Sequence, residues 1–352
     1  MASIVPDRAR VVFWNRTLSP FYGADTRRSV VQLTGTAALF FGFWILAYLA
    51  LSIGYWATIL CSVGATAFLM RLFMIQHDCG HGSYFKSRRA RDVVGFFIGV
   101  LTLTPYEYWR KTHAYHHAHA GDLDLRGFGD ISTLTVAEYR KRSWWGRLAY
   151  RLYRNPLVLF GVGAVFHFVV VHRFPWTTPG SWTRAWRSVW ITNLVLAVIL
   201  LAMTITIGLK SFLLVHGPIV ILTCSLGVWL FYVQHQFEEA YWYRKPDWDY
   251  YDAALKGSSY LALPRPLQWL TANIGIHHVH HLNARIPNYR LQEAMAAVPE
   301  LQSPTRVTMA DSFRLMGLSL WDEAEERLVS FREAKRRFRE RVAELARSSS
   351  AL

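Results

Sequence analysis

Nine of the fourteen histidines in this chain stand where imidazoles could converge on metal ions. The first pair is His77 and His81 in His-Asp-Cys-Gly-His. The second set is His113, His116 and His117, and the third is His277, His280 and His281. A lone His235 follows an apolar run in Gln-His-Gln-Phe-Glu-Glu. On a helix, HxxxH puts rings at i and i+4 on one face, and HxxHH puts rings at i, i+3 and i+4 on that face. Each set alone could grip an ion. Together they offer nine nitrogens, four or five for each of two ions. All-imidazole ligation suits iron, copper, nickel or zinc. Neutral rings do not offset the charge of the ions as carboxylates would. The centre is therefore expected to be electrophilic and oxidising, suited to activating oxygen against an unactivated C–H bond. The neighbours His119 and His278, and the isolated His167, His172 and His216, are expected not to be ligands.

The elements that must position these rings are legible from where charge is missing. No charged residue or histidine occurs between Arg28 and Arg71. A spanning helix needs about 20 apolar residues, so this stretch holds two, at 33–52 and 55–75, joined near Ile53 and Gly54. A second charge-free run covers 188–209, and a third runs from 211 to 234 with only His216 inside it. They flank Gly208, Leu209 and Lys210 and read as a second pair of spans. Two shorter apolar runs, 93–106 and 155–171, read as interfacial or partly embedded helices, with a fifth and a sixth span as the alternative. The histidine sets fall at the ends of the spans and beyond them.

Composition agrees with this division. Hydrophobic residues make up 52% of the 352 and charged residues only 18%, yet 39 Lys and Arg against 24 Asp and Glu leave a net charge of +15. Apolar content excludes a disordered chain, and three cysteines exclude a disulfide scaffold. The tips of the two span pairs hold a single basic residue, Lys210, while the remaining segments are rich in arginine. The positive-inside rule places both termini and the central segment in the cytoplasm. No cleavable signal peptide is expected, because the first apolar run spans two helices. No motif supports nucleic-acid binding. The stretch 321–347 is expected to be one amphipathic helix, with Leu328, Phe331, Phe338, Val342 and Leu345 on its apolar side, and the serines that follow are expected to fray.

With these residues assembled, the chain resembles the membrane fatty acid desaturases, in particular the bacterial acyl-lipid Δ12 (omega-6) type. The resemblance covers roughly residues 30–300. It rests on QHDCGHGSYF at 76–85, WRKTHAYHHAHAGDLDLRGFGDISTLTVAEY at 109–139, NPLVLFGVG at 155–163 and NIGIHHVHHLNARIPNYRL at 273–291. It implies an all-α integral membrane protein. Four transmembrane helices in two hairpins would carry a cytoplasmic helical cap holding a histidine-ligated di-iron centre. The corresponding segments are a cytoplasmic segment 1–32, hairpins 33–75 and 187–234, a cytoplasmic or interfacial segment 76–186, and a cap 235–352. The expected location is the bacterial cytoplasmic membrane.

The resemblance also implies the chemistry. O2 would be reduced with electrons from a separate ferredoxin or cytochrome b5, because the haem motif of a fused cytochrome b5 is missing. Two hydrogens would leave adjacent methylenes of a membrane lipid acyl chain, giving a cis double bond. The iron ligands would be His77, His81, His113, His116, His117, His277, His280 and His281, with His235 as the additional ligand. Where related acyl-CoA desaturases place an asparagine one turn before that histidine, this chain has Phe231. Asp78, Asp122, Glu238, Glu239 and Asn273 are the candidates for fixing imidazole tautomers.

Two other readings are compatible with the sequence. A di-iron hydroxylase or ketolase of the same superfamily would add oxygen to an acyl chain or carotenoid. A histidine-rich metal transporter would place ligands near the midplane of its spans, whereas these sets lie at the span ends. Replacing a box histidine, His116→Ala or His280→Ala, is expected to abolish turnover and lower bound metal while membrane insertion persists. Replacing His119 is expected to cost far less. Equal metal loss in the two kinds of variant, measured by elemental analysis, would overturn the ligand assignment.

Overall fold

The computed structural model describes residues 8–176 and 178–349. The chain begins with α1 (Arg8–Leu18), α2 (Thr26–Leu49) and α3 (Tyr55–His81), followed by α4 (Arg88–Leu101) and α5 (Tyr106–His119). Strand β1 (Leu134–Thr135) precedes α6 (Val136–Lys141), α7 (Trp144–Tyr153) and α8 (Gly163–Val169). Two long helices follow, α9 (Thr183–Ile207) and α10 (Leu209–His235), then α11 (Tyr250–Lys256) and β2 (Tyr260–Ala262). Next come α12 (Arg265–Leu270), α13 (His277–Leu282), α14 (Leu291–Ala297), β3 (Arg306–Thr308) and α15 (Met309–Leu315). The described chain closes with β4 (Leu320–Asp322), β5 (Arg327–Val329) and α16 (Phe331–Ser349).

Four helices, α2 with its 3₁₀ extension to Ser52, α3, α9 and α10, are long and apolar enough to cross a membrane. A helix of 27 residues such as α3 extends about 40 Å, more than the roughly 30 Å hydrocarbon layer. It is thus long enough to cross that layer with turns to spare. α2 and α9 begin before the charge-free runs and α3 and α10 end beyond them, because helical hydrogen bonding continues past the last apolar residue. Asp25 starts α2 by accepting from the Arg28 amide at 3.0 Å, relieving one of the unpaired amides of the first turn. Gly208, at φ +82° between α9 and α10, takes a left-handed backbone that a side chain would strain. The α9 surface exposes Trp190, Leu194, Val198, Leu201 and Ile205, an apolar stripe suited to lipid.

The short apolar runs fold as separate pieces. α4 is a half-buried amphipathic helix whose Val93 and Phe97 are exposed. The 155–171 stretch contains a π-helical turn, Val158–Val162, and then α8. Together with α7 it forms a pair bent by 65° that could make a fifth span.

The rest of the chain packs into a layer at the histidine-bearing ends of α3 and α10. It is mostly helical, and it also contains two small sheets that the all-α expectation did not include. β1 pairs in parallel with β4, which pairs antiparallel with β5. β2 pairs in parallel with β3. Strands of two or three residues are too short to show an alternating pattern. The buried guanidinium of Arg154 fastens the first sheet to the end of α10. It donates to the Leu318 carbonyl at 2.8 Å and to the Gln236 side-chain oxygen at 2.9 Å. α1 belongs to this layer too. Its Trp14 and Leu18 are buried in one core with Val279 and Leu282 of α13.

The expected 321–347 helix is corrected. Residues 320–329 form the β4–β5 hairpin, with Glu326 at φ +49° in its turn, and the helix starts only at Phe331. Leu328 is fully buried in the largest core, and its amide donates to the Glu238 carbonyl at 2.8 Å. Phe338 and Val342 remain largely exposed on α16. The Leu345 side chain and residue 350 lie outside the described residues, as do residues 1–7. Leu328→Ala should therefore destabilise the protein by about 2–5 kcal/mol, whereas Val342→Ala should stay within about 0.5 kcal/mol. Thermal unfolding in detergent measures both. Equal small losses would return Leu328 to a surface helix.

Candidate metal centre

The ends of α3 and α10, the C-terminal half of α5 and the short α13 bring the nine histidines together. They form two groups. His77, His81, His113, His117 and His280 make the first, and His116, His235, His277 and His281 the second. Within each group the candidate ligand nitrogens lie within 4.8 Å of one another. The split follows from helical geometry. Residues at i and i+4 are about 40° apart around a helix, whereas neighbours are about 100° apart. His113 and His117 thus share one group while His116 points to the other. His277 and His281 likewise share a group, and His280 crosses over. Every HxxHH set therefore contributes to both groups.

The nitrogens face inward. His117 Nε2 lies 3.2 Å from His113 Nε2 and 3.0 Å from His280 Nε2. His116 Nε2 lies 3.2 Å from His235 Nε2 and 3.3 Å from His281 Nε2, and the His277–His235 separation is 2.9 Å. Two imidazole nitrogens bound about 2.1 Å from one ion would be roughly 3.0–3.4 Å apart. The observed spacing matches that separation. Buried His81 Nε2 has no hydrogen-bond partner, which an ion would supply. Burial, reinforced by the neighbouring rings, holds His113, His117, His277, His280 and His281 well below the usual imidazole pKa. These rings are therefore neutral near pH 7, the form that binds a metal. The donor set fits a pair of transition-metal ions.

A model of the fatty acid desaturase family matches residues 53–313, a stretch that contains all nine of these histidines. The chain belongs to the fatty acid desaturase family. A Bacillus subtilis protein named fatty acid desaturase is 44% identical over 320 residues, 91% of this chain and 90% of that one. An sn-1 oleoyl-lipid 12-desaturase of Synechocystis sp. is 27% identical over 254 residues, 69% of each chain. A second Synechocystis sp. protein, named sn-1 acyl-lipid omega-3 desaturase (ferredoxin), is 28% identical over 252 residues, 64% of this chain and 63% of that one.

In this family member the groups around the imidazoles differ from those expected. Of the five candidates for fixing tautomers, Asp78 alone touches a histidine of either group. Its Oδ1 lies 3.1 Å from His77 Nδ1. Its Oδ2 accepts from the backbone and side-chain amides of Asn288, at 2.7 and 2.8 Å. Asn288 in turn accepts from Gln32 of α2 at 2.9 Å, so one chain of bonds joins the first span to the first histidine pair. Asp122 is buried but caps a turn, accepting from the amides of Asp124 and Leu125. Glu238 pairs with Arg314 at 3.3 Å, and Glu239 is exposed. Asn273 sits at φ +57°, a backbone that asparagine tolerates better than most residues. Its side chain reaches the Asn288 carbonyl, at 3.4 Å.

The carboxylate that sequence reasoning missed is Asp130, whose Oδ1 pairs with His116 Nδ1. It stands in the Gly-rich loop after α5, fourteen residues from His116. Gly129 lets that loop pass the helix. Its φ is +79°, and a Cβ there would meet the Thr112 carbonyl at 2.8 Å. The glycines of GDLDLRGFGD were the available signal. His235 uses a backbone group instead, with Nδ1 at 3.1 Å from the Gly257 carbonyl. Phe231 lies tilted against His116 and His235, with ring centres 4.9 and 5.3 Å away, so the second group keeps four imidazoles beside an apolar wall.

The remaining histidines stand apart from both groups. His119 packs against Tyr115, with ring centres 4.4 Å apart. His278 Nε2 bonds the Leu301 carbonyl at 3.0 Å. His167 and His172 face each other, and His216 stacks on Phe212. Asp130→Asn is expected to lower metal retention or activity about 10- to 100-fold, while Glu239→Gln should leave both unchanged. Metal per protein after a chelator challenge tests this. Equal retention in the two variants would remove Asp130 from the site.

Proposed function

We propose that this family member is an oxygen-dependent acyl-lipid desaturase with two iron ions. It would introduce a cis double bond into a lipid-linked chain, at the Δ12 (omega-6) position. The observation that carries the reading is the pair of buried groups with nine inward-facing imidazoles at the ends of two candidate spans. His77, His81, His113, His117 and His280 would hold one ion, and His116, His235, His277 and His281 the other. When bound, the ions would supply oxygen activation and one-electron chemistry. The chain's own residues supply orientation: Asp78 and Asp130 fix the rings of His77 and His116 through Nδ1 and place anionic charge behind them. Burial excludes water, which suits hydrogen removal from an unreactive methylene.

Support for the Δ12 position comes from the wording of the histidine boxes and from the 12-desaturase named among the relatives. Support for a ferredoxin-class donor comes from the omega-3 relative, whose name includes one. An acidic donor would be steered by the net positive charge of the chain. The arginine distribution favours a cytoplasmic cap with both termini on that side of the bacterial membrane.

Membranes containing the full chain, with reduced ferredoxin, O2 and an oleoyl glycerolipid, should yield a dienoic chain lighter by two hydrogens. Mass spectrometry of the lipids reports the double-bond position and the carrier together. A product heavier by one oxygen would assign a hydroxylase instead. Iron-loaded protein that yields only monoenes would overturn the Δ12 position.

A further inference from the structure

The charge-free stretch that supplies the first two candidate spans ends at Arg71, inside α3 and six residues before His77. That places it about 9 Å along the helix from the first histidine pair. Arg71 is only 6% exposed. Its Nε and Nη1 are buried without a partner, and it makes no ion pair among the described residues. The ring of Trp269 lies against it, with the guanidinium carbon 4.0 Å from the ring centre. A guanidinium stays charged under all ordinary conditions. Its contact with an indole stabilises a desolvated guanidinium, but by less than burial without a counter-ion costs. The aromatic contact does not offset the burial, and no anionic partner stands beside the guanidinium among the described residues.

The surroundings indicate which anion. Trp269 and Leu267 of α12 are partly exposed, at 51% and 37%, and Trp269 also meets Phe68 of α3 edge-on at 6.3 Å. A half-exposed indole over an apolar helix is characteristic of the level where lipid headgroups meet acyl chains. The consecutive left-handed residues Ala272 and Asn273 turn the chain from α12 into the segment that carries His277. Trp269 and the third histidine set are therefore held by one short connection.

We propose that Arg71, covered by Trp269, binds the phosphate oxyanion of a glycerophospholipid and so anchors the molecule whose acyl chain enters the site. This rests on the reading that the substrate is lipid-linked. A guanidinium binds a phosphate through two parallel hydrogen bonds from one edge, Nη1 with Nη2 or Nε with Nη2, and among the described residues neither edge of Arg71 is taken by a hydrogen bond. Lysine keeps the charge without the fork.

The test uses the full chain in neutral detergent, exchanged with phosphatidylglycerol or with diacylglycerol carrying the same chains. Retained lipid is counted by native mass spectrometry. Wild type should retain phosphatidylglycerol at least about tenfold better than diacylglycerol. Arg71→Gln and Arg71→Met should abolish that preference, and Arg71→Lys should recover part of it, with bound metal unchanged in all three as evidence of folding. An unchanged preference in folded Arg71→Gln or Arg71→Met would overturn the proposal. So would release of the lipid by millimolar inorganic phosphate, which would mark a site for free phosphate. Turnover separates the two readings. Desaturation without an Arg71-dependent preference removes this site alone, and an Arg71-dependent preference without any desaturation removes the enzymatic reading alone.

Discussion

Nine imidazoles crowded together below the surface repel one another unless something positive lies between them. With Nε2 atoms 2.9–3.3 Å apart, each ring nitrogen either turns a lone pair toward its neighbours or donates a hydrogen bond to one of them. Four or five mutually close acceptors cannot all be satisfied that way. The arrangement is stable only around cations, or under the compulsion of the surrounding fold. Most of the architecture serves that compulsion. Two long helices end in the groups, and a third helix lies across them. The short α13 is buried on every side and wedged under α1, α11 and α14.

The anionic groups that meet this cluster are few. Asp78 and Asp130 approach Nδ1 atoms, one in each group, and His235 relies on a carbonyl. Each histidine group is thus tied to a different part of the chain. The first is tied through Asp78 and Asn288 to the first candidate span. The second is tied through Asp130 to a glycine-rich loop, and through Gln236 and Arg154 to the small sheet.

Much of this was readable in the amino acids. Long charge-free runs mark spanning helices because lipid tolerates little else, and HxxHH spacing has few other uses. The polar groups behind the rings were far less readable. Asp78 is adjacent to a histidine in sequence, whereas Asp130 reaches one only by a loop whose path depends on Gly129. Glu238, Glu239 and Asn273 looked suitable because they are near histidines in sequence. The backbone turns them toward Arg314, solvent and a left-handed turn. The β4–β5 hairpin was concealed for a similar reason. Its residues have helical spacing, and the burial of Leu328 comes from a tertiary contact that no local pattern encodes.

The sharing of each HxxHH set between the two groups bears on how the protein is made. The first group draws on α3 and α5 but also on His280, and the second needs His277 and His281. Neither group is whole while the ribosome is still translating the region before α13. Both candidate span pairs are synthesised by then, so a finished site can arise only after the membrane-crossing segments have emerged. Completion of the two groups is therefore a single late event. A chain truncated before α13 would carry four of the five imidazoles of the first group but only two of the four of the second.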